Sequence, residues 1–283
     1  MTTPELTANP RPAASAAGLT LTAMVKTALA LVERDLAVLF HDFFPFSLRT
    51  ALQPALFAFV FAYVFPRIGQ GIGASHAAAF AAVLLPGLMA NTLMFQGVTG
   101  VTLPLVTEFS VSKEIEDRVM APVPVVVVGL TKVVSSSFQA FVAGWLVVPA
   151  VWIATGGNTP ISWAHPIELL TIMPLCALVG SALGLVLGTV IHPRRITYLF
   201  GILLVPLSLL GCVYYPWMTL HTIPWLQYLT LINPVVYMSE GLRAALSPAI
   251  PHMPLWAVYG LLLTALAAML ALGLAKFKGR VLT

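Results

Sequence analysis

Residues 107–132 read TEFSVSKEIEDRVMAPVPVVVVGLTK, and the change of character inside that stretch decides what kind of protein this is. Its first half carries Glu108, Lys113, Glu114, Glu116, Asp117 and Arg118. Its second half starts an apolar run that continues to about residue 153 with Lys132 as its one charge. Only 8% of the 283 residues are Asp, Glu, Lys or Arg, whereas 59% are hydrophobic and the mean hydropathy is +0.94. A soluble core cannot hide that much apolar surface, so the charged half reads as a loop at a membrane face and the oily half as a helix crossing the bilayer.

The same alternation recurs outward from this point. Six spans are expected, at 49–66, 77–101, 123–153, 167–191, 196–215 and 254–275. Each is close to or above the roughly 20 residues that a helix needs to cross the hydrocarbon layer. They lack the apolar/polar alternation of barrel strands, which makes the chain an all-α polytopic membrane protein. The third span is long enough to tilt or break. Residues 216–253 are interrupted by Pro, Trp and Tyr and fit a re-entrant helical hairpin, since broken backbone at membrane depth needs protein or a wet cavity around it.

Basic residues give the orientation, because Lys- and Arg-rich loops stay on the cytoplasmic side. With the N-terminus inside, Arg11, Lys26, Arg34, Arg49, Lys113, Arg118, Arg194, Arg195, Lys276, Lys278 and Arg280 fall on the inner side, and only Arg67 and Arg243 on the outer. Both termini are therefore expected in the cytoplasm. The net charge of +4 reflects this topology and not nucleic-acid binding. Residues 1–18 are small, polar and proline-bearing, and read as a flexible cytoplasmic leader and not a signal peptide.

Residues 19–44 form an amphipathic helix. Leu21, Val25, Ala28, Leu29, Val32, Leu36, Leu39 and Phe43 share one face, while Lys26, Glu33, Arg34, His41 and Asp42 occupy the rest. Such a helix lies in the headgroup plane, either as an anchor or as a lever into the spans. If residues 110–120 are helical, Val111, Ile115 and Val119 also make a stripe at i, i+4, i+8. A solvated loop needs no such stripe and no four acids, so a basic protein partner explains this segment better.

Catalytic signatures are missing: the sequence has no GxxxxGK[ST], HExxH or GxSxG. The six histidines are scattered, and Cys176 and Cys212 have no metal-ligand spacing and read as buried thiols. No catalytic residue, bound metal or cofactor is expected on this chain. Lys132 is the single clear charge inside a span. Snorkelling to the inner interface explains it, and a place in an ion path is the alternative.

The order of amphipathic helix, LLPGLMANTLMF (84–95), charged loop into RVMAPVP (118–124), LGCVYYPWMTL (210–220) and INPVVYMSEGLRAAL (232–246) resembles the ABC-2 type permeases of ABC transporters. It looks closest to bacterial exporters of nodulation-factor or daunorubicin type. The resemblance covers nearly everything after residue 20 and implies a multi-pass plasma-membrane subunit that forms a dimer, most simply a homodimer. It also implies two cytoplasmic ATPase subunits, which would hold the ATP and Mg. Residues 19–44 match the connecting helix, with Glu33, Arg34 and Asp35 facing the ATPase or the coupling helix. The 105–122 loop matches the coupling helix, with Glu108, Lys113, Glu114, Glu116, Asp117 and Arg118 as its docking groups. Residues 216–253 match the external hairpin, turned by Asn233 and Pro234 and sealed by Glu240 with Arg243. Gln53, Asn91, Gln96 and Gln139 in the spans, with Tyr214, Tyr215 and Trp217 outside, are the candidates for a pathway or dimer interface; hydrogen-bonding glue between helices equally explains the first four and membrane anchoring the aromatics. A secondary, ion-coupled transporter is the competing reading.

Overall fold

The computed structural model describes residues 21–68, 77–108, 125–157, 161–191 and 200–282. Every regular element among them is a helix. Helix α1 (Leu21–His41) ends at a turn on Asp42, and α2 (Phe43–Ala58) begins directly, running on through a π-helical stretch (Phe59–Val64) to Phe65–Arg67. Pro45 is accommodated in the first turn of α2, where its missing N–H would have no helical partner anyway. The first span thus starts near residue 43, earlier than the expected 49.

Three long helices follow: α3 (Ala77–Thr107), α4 (Val125–Ala154) and α5 (Pro166–Val190). Next come α6 (Phe200–Leu209, π-helical at its start), a 3₁₀ turn (Trp217–Thr222), α7 (Pro224–Thr230), α8 (Pro234–Leu246) and α9 (Leu255–Leu282). Among the described residues five helices are long and apolar enough to cross a membrane. α4 passes unbroken through Pro149, so the tilt-or-break expectation resolves to one continuous helix. Of the span expected at 196–215, residues 200–209 are helical. The chain then turns at Cys212, whose φ of 52° is left-handed.

α3 and α5 form the centre, being largely buried, whereas α9 exposes most of its surface. They approach closely because glycines line both sides. A Cβ on Gly97 would sit 2.7 Å from the Ser181 nitrogen, and one on Gly184 2.7 Å from the Val98 carbonyl oxygen. Gly180 and Gly184 are four apart, the small-residue spacing that brings helix backbones together in lipid, where no hydrophobic force drives association. The main core gathers around this seam, from Leu84, Leu85, Met89 and Leu93 of α3 to Ile172 and Met173 of α5 and Met238 and Leu242 of α8. α1 packs its Leu39 beside Phe46 and Ala143 of α4, while Val25 and Leu29 remain about half exposed, as expected of a helix with an apolar side turned to lipid.

Candidate functional site

Polar side chains in apolar helices are costly, so their grouping marks the places where the chain handles something other than lipid. The first group lies between α2 and α3. Here an open groove of about 270 Å³ is lined by Arg49, Thr50, Gln53, Asn91 and Gln96, with Phe57 and Phe95 as apolar walls. The Gln96 amide donates to Thr50 Oγ1 at 2.8 Å, and Ser208 Oγ of α6 donates to Asn91 Oδ1 at 2.6 Å. Gln53 is exposed to the groove. Three of the four span residues singled out in the sequence therefore meet in one place, Gln53 from α2 and Asn91 and Gln96 from α3.

The hairpin region after α6 packs beside this groove. Tyr214 packs on Phe57 and Phe61 of α2, with ring centroids 5.7 and 6.1 Å apart. Since Phe57 also lines the groove, Tyr214 links the groove to the hairpin. Trp217 points the other way, its indole N–H donating to the Gln227 carbonyl at 3.1 Å, and the Tyr215 hydroxyl reaches the Leu209 carbonyl at 3.3 Å. Asn233 caps α8 by accepting from Val235 N at 3.0 Å and donates to the Leu207 carbonyl at 2.7 Å, with Pro234 as the first helical residue. One side chain thus ends the turn, starts the helix and ties both to α6.

At the heart of the hairpin Glu240 and Arg243 form an ion pair with no exposed surface. Their i, i+3 spacing on α8 is the part that the sequence makes legible. What the sequence hides is that Glu240 is also a backbone clamp. Its Oε1 accepts from Trp217 N at 2.8 Å and its Oε2 from Met253 N at 3.0 Å. Arg243 Nη2 donates to the carbonyl of the left-handed Cys212 at 3.0 Å. The pair therefore joins α8, the turn after α6, the 3₁₀ turn and the approach to α9. Arg243 Nε alone finds no acceptor among the described residues. Both thiols, Cys176 and Cys212, are buried.

A second cleft, of about 310 Å³, lies between α1, α3 and α4. Lys132 Nζ donates to Glu108 Oε1 at 2.7 Å, each side chain being about 10% exposed. Lys132 is thus held by a carboxylate 24 residues away across the charged loop, a partner that sequence spacing gives no means to find. Glu108, one of the expected docking groups, is buried beside Lys132, where an ammonium among apolar helices is far less costly with a counter-charge at hand. Arg34 and Asp35 line the same cleft and pair with each other at 3.0 Å, while Glu33 is exposed. Gln139, expected with Gln53, Asn91 and Gln96, belongs to this cleft and not to the groove. Lys113, Glu114, Glu116, Asp117 and Arg118, like the leader 1–18, lie outside the described residues.

The sequence pointed to neither Arg49, Thr50 and Ser208 as groove partners nor Arg280. The Arg280 guanidinium donates from Nη1 to the carbonyls of Gly188, Thr189 and Ile191 at 3.2, 2.9 and 3.1 Å, capping the end of α5 from α9. A basic residue in a last helical turn is a common signal, but which helix end it serves is a tertiary fact.

A bundle of helices long and apolar enough to cross a membrane, with an amphipathic helix at its start, an ion-paired hairpin near its end and a polar groove between them, is the architecture of a multi-pass membrane protein. The family model of the ABC-2 type transporters matches residues 27–247, most of the chain, and the chain belongs to that family. A search of curated proteins finds no match. The chain is accordingly a multi-pass permease subunit of an ABC transporter, a system whose energy comes from an ABC ATPase partner.

Proposed function

We propose that this subunit exports an amphipathic substrate, lipid-linked or drug-like, across a bacterial plasma membrane, powered by two copies of a separate ATPase that hold the ATP and Mg. The observation that carries the proposal is the meeting of Gln53, Asn91 and Gln96 in one open groove with aromatic walls. Pockets for small amphipathic molecules combine this kind of apolar lining with a few placed hydrogen-bonding groups. Tyr214, seated on Phe57 at the hairpin end, adds a flat face on which a sugar or planar ring stacks.

The charged 108–122 loop would receive the ATPase, with Lys113, Glu114, Glu116, Asp117 and Arg118 as contacts and Glu33 beside them on α1. The exposed faces of α2 and α4 offer surface for a second copy, most simply in a homodimer with the two grooves facing one another. ATP binding would close the ATPase pair and shift the permease between two arrangements, because ATP binds one of them better. With both termini inside, α1 lies at the cytoplasmic face and the hairpin at the outer face. The ion-coupled alternative leaned on Lys132, whose charge is answered in place by Glu108, and membership of an ATP-driven family removes its remaining support.

The test is ATP-dependent uptake of fluorescent amphiphiles into inverted vesicles, comparing wild type with Gln53→Leu/Gln96→Leu. We expect a tenfold or greater loss of uptake into those vesicles with ATPase activity retained, each lost polar contact being worth on the order of 1 kcal/mol. Unchanged transport by the double variant would exclude the groove as the pathway.

A further inference from the structure

We infer that the groove between α2 and α3 selects amphiphiles whose head carries an oxyanion, a carboxylate, sulfate or phosphate, and that Arg49 is the residue that selects them. The inference rests on the reading of this groove as the substrate site and adds the sign of the charge it accepts. Among the described residues that line the groove only Arg49 is charged, and none is an Asp or Glu. Arg49 is exposed, and its guanidinium has no hydrogen bond, ion pair or ring partner among the described residues. The inner cleft is the opposite case, since its charges are joined in the pairs Arg34–Asp35 and Lys132–Glu108. Paired charges ask for nothing, whereas a lone guanidinium presents a planar fork of N–H donors and no acceptor.

The bias of basic residues toward the inner side accounts for the depth of Arg49 but not for the side of α2 on which it lies. Arg49, Gln53 and Phe57 fall at i, i+4 and i+8, and all three line the groove. Leu48, Leu52 and Leu56, each more than half exposed, make the neighbouring stripe outside it. The groove side of α2 thus runs from charge through amide to ring. The neutral groups in the groove are set to donate as well. Asn91 Oδ1 accepts from Ser208 and Thr50 Oγ1 accepts from Gln96, which leaves the Asn91 amide N–H groups and the Thr50 hydroxyl hydrogen for a ligand. A guanidinium with N–H and O–H donors in the same groove matches an oxyanion, and charge-assisted bonds of this kind are roughly twice as strong as neutral ones. A cationic head in the same place would meet Arg49 with no carboxylate to offset it.

The order of residues along the groove fits an amphiphile lying lengthwise. From Leu103 to Leu88 the α3 wall is about 22 Å long. The Gln96–Thr50 bond sets the register, with Thr99 and Leu103 toward the Arg49 end. The other end adjoins the hairpin region, where Phe57 packs on Tyr214 and a Cβ on Gly87 would meet the Val213 backbone. In the proposed orientation Arg49 stands at the cytoplasmic leaflet, at the level of a lipid head, and Phe57 lies deeper, beside the tail. That is the posture of an anionic amphiphile taken from the inner leaflet.

The test uses three fluorescent probes that share one fluorophore and one acyl chain and end in a carboxylate, a hydroxyl or a trimethylammonium. Their binding to the full-length chain, purified in detergent with whatever ATPase accompanies it, is read by anisotropy at constant ionic strength. Their ATP-dependent uptake is read in inverted vesicles. The carboxylate probe should bind about tenfold or more tighter than the ammonium probe. Arg49→Gln should lower the affinity for the carboxylate probe about tenfold and leave the hydroxyl probe within about twofold, while Arg49→Lys keeps most of the preference. Lys26→Gln removes the same charge from an exposed position on α1 outside the groove and should change neither. Equal binding of the carboxylate and ammonium probes, an Arg49→Gln effect matched by Lys26→Gln, or one felt equally by all three probes would each overturn the inference. Selective binding that is lost in Arg49→Gln, with no ATP-dependent uptake of any probe, would uphold it and count against export through the groove. Uptake of all three probes alike with unselective binding would uphold export and overturn the inference.

Discussion

Among the described residues two ion pairs lie buried or nearly so in this oily chain, and they are built differently. Glu240 and Arg243 sit one helical turn apart with no exposed surface, and between them they hold the backbone of three other segments. Glu108 and Lys132 come from two helices, remain about 10% exposed and face a cleft containing an unmet hydroxyl. A buried charge pair adds little net stability over apolar residues of the same shape, yet breaking it is costly because one charge is left stranded. The hairpin pair therefore acts as a staple, fixing one arrangement of the hairpin. The cleft pair sits where α3 runs into the charged loop and joins two helices far apart in sequence.

Breaking the staple should produce the largest effect. Glu240→Ala strands Arg243 and releases the Trp217 and Met253 amides, an expected loss of about 3–5 kcal/mol. The readout is the yield of monodisperse protein and its melting temperature. A Glu240→Ala chain as stable as wild type would remove the distinction between the two pairs.

The cleft pair should respond less. Glu108→Gln keeps the shape and a hydrogen-bond acceptor but removes the charge, for an expected cost of about 1.5–3 kcal/mol. The reversed pair Glu108→Lys/Lys132→Glu should recover much of the loss seen with Glu108→Lys alone, measured as a double-mutant cycle on the melting temperature. A cycle with no coupling would show that the 2.7 Å contact carries no energy. The smallest of these effects belongs to the edge of the staple. Asn233→Ala removes the α8 cap and the tie to Leu207 and should cost about 1 kcal/mol, read in the same assay.

The contrast also explains which parts of the molecule the sequence reveals. The long crossing helices were legible because some 20 apolar residues in a row have few other fates. The Glu240–Arg243 contact was legible because three residues make one helical turn. The Trp217 and Met253 amides were not, since an acceptor that serves distant backbone leaves no pattern in spacing. The Glu108–Lys132 contact was hidden for the same reason, and the charge cluster invited the reading that all six residues share one outward face. Gln139 shows the limit from another side. Composition marks it as a polar residue in a span like Gln53 and Gln96, but only helix rotation decides that it faces the inner cleft. The end of α6 at Leu209 was missed because apolar residues run on to Val213 while the backbone turns at Cys212.

The central claim is that the chain is a permease driven by an ATPase seated on its charged loop. It is tested most directly by what co-purifies with the C-terminally tagged protein from gently solubilised native membranes. Wild type would be compared with the variant Glu114→Ala/Glu116→Ala/Asp117→Ala, whose substitutions leave the Glu240–Arg243 staple untouched. The account predicts an ATPase with nucleotide-binding motifs at about equal stoichiometry with wild type and its depletion from the variant, at equal permease recovery. Recovery of wild-type permease with no ATPase, or with as much ATPase on the variant as on the wild type, would contradict it.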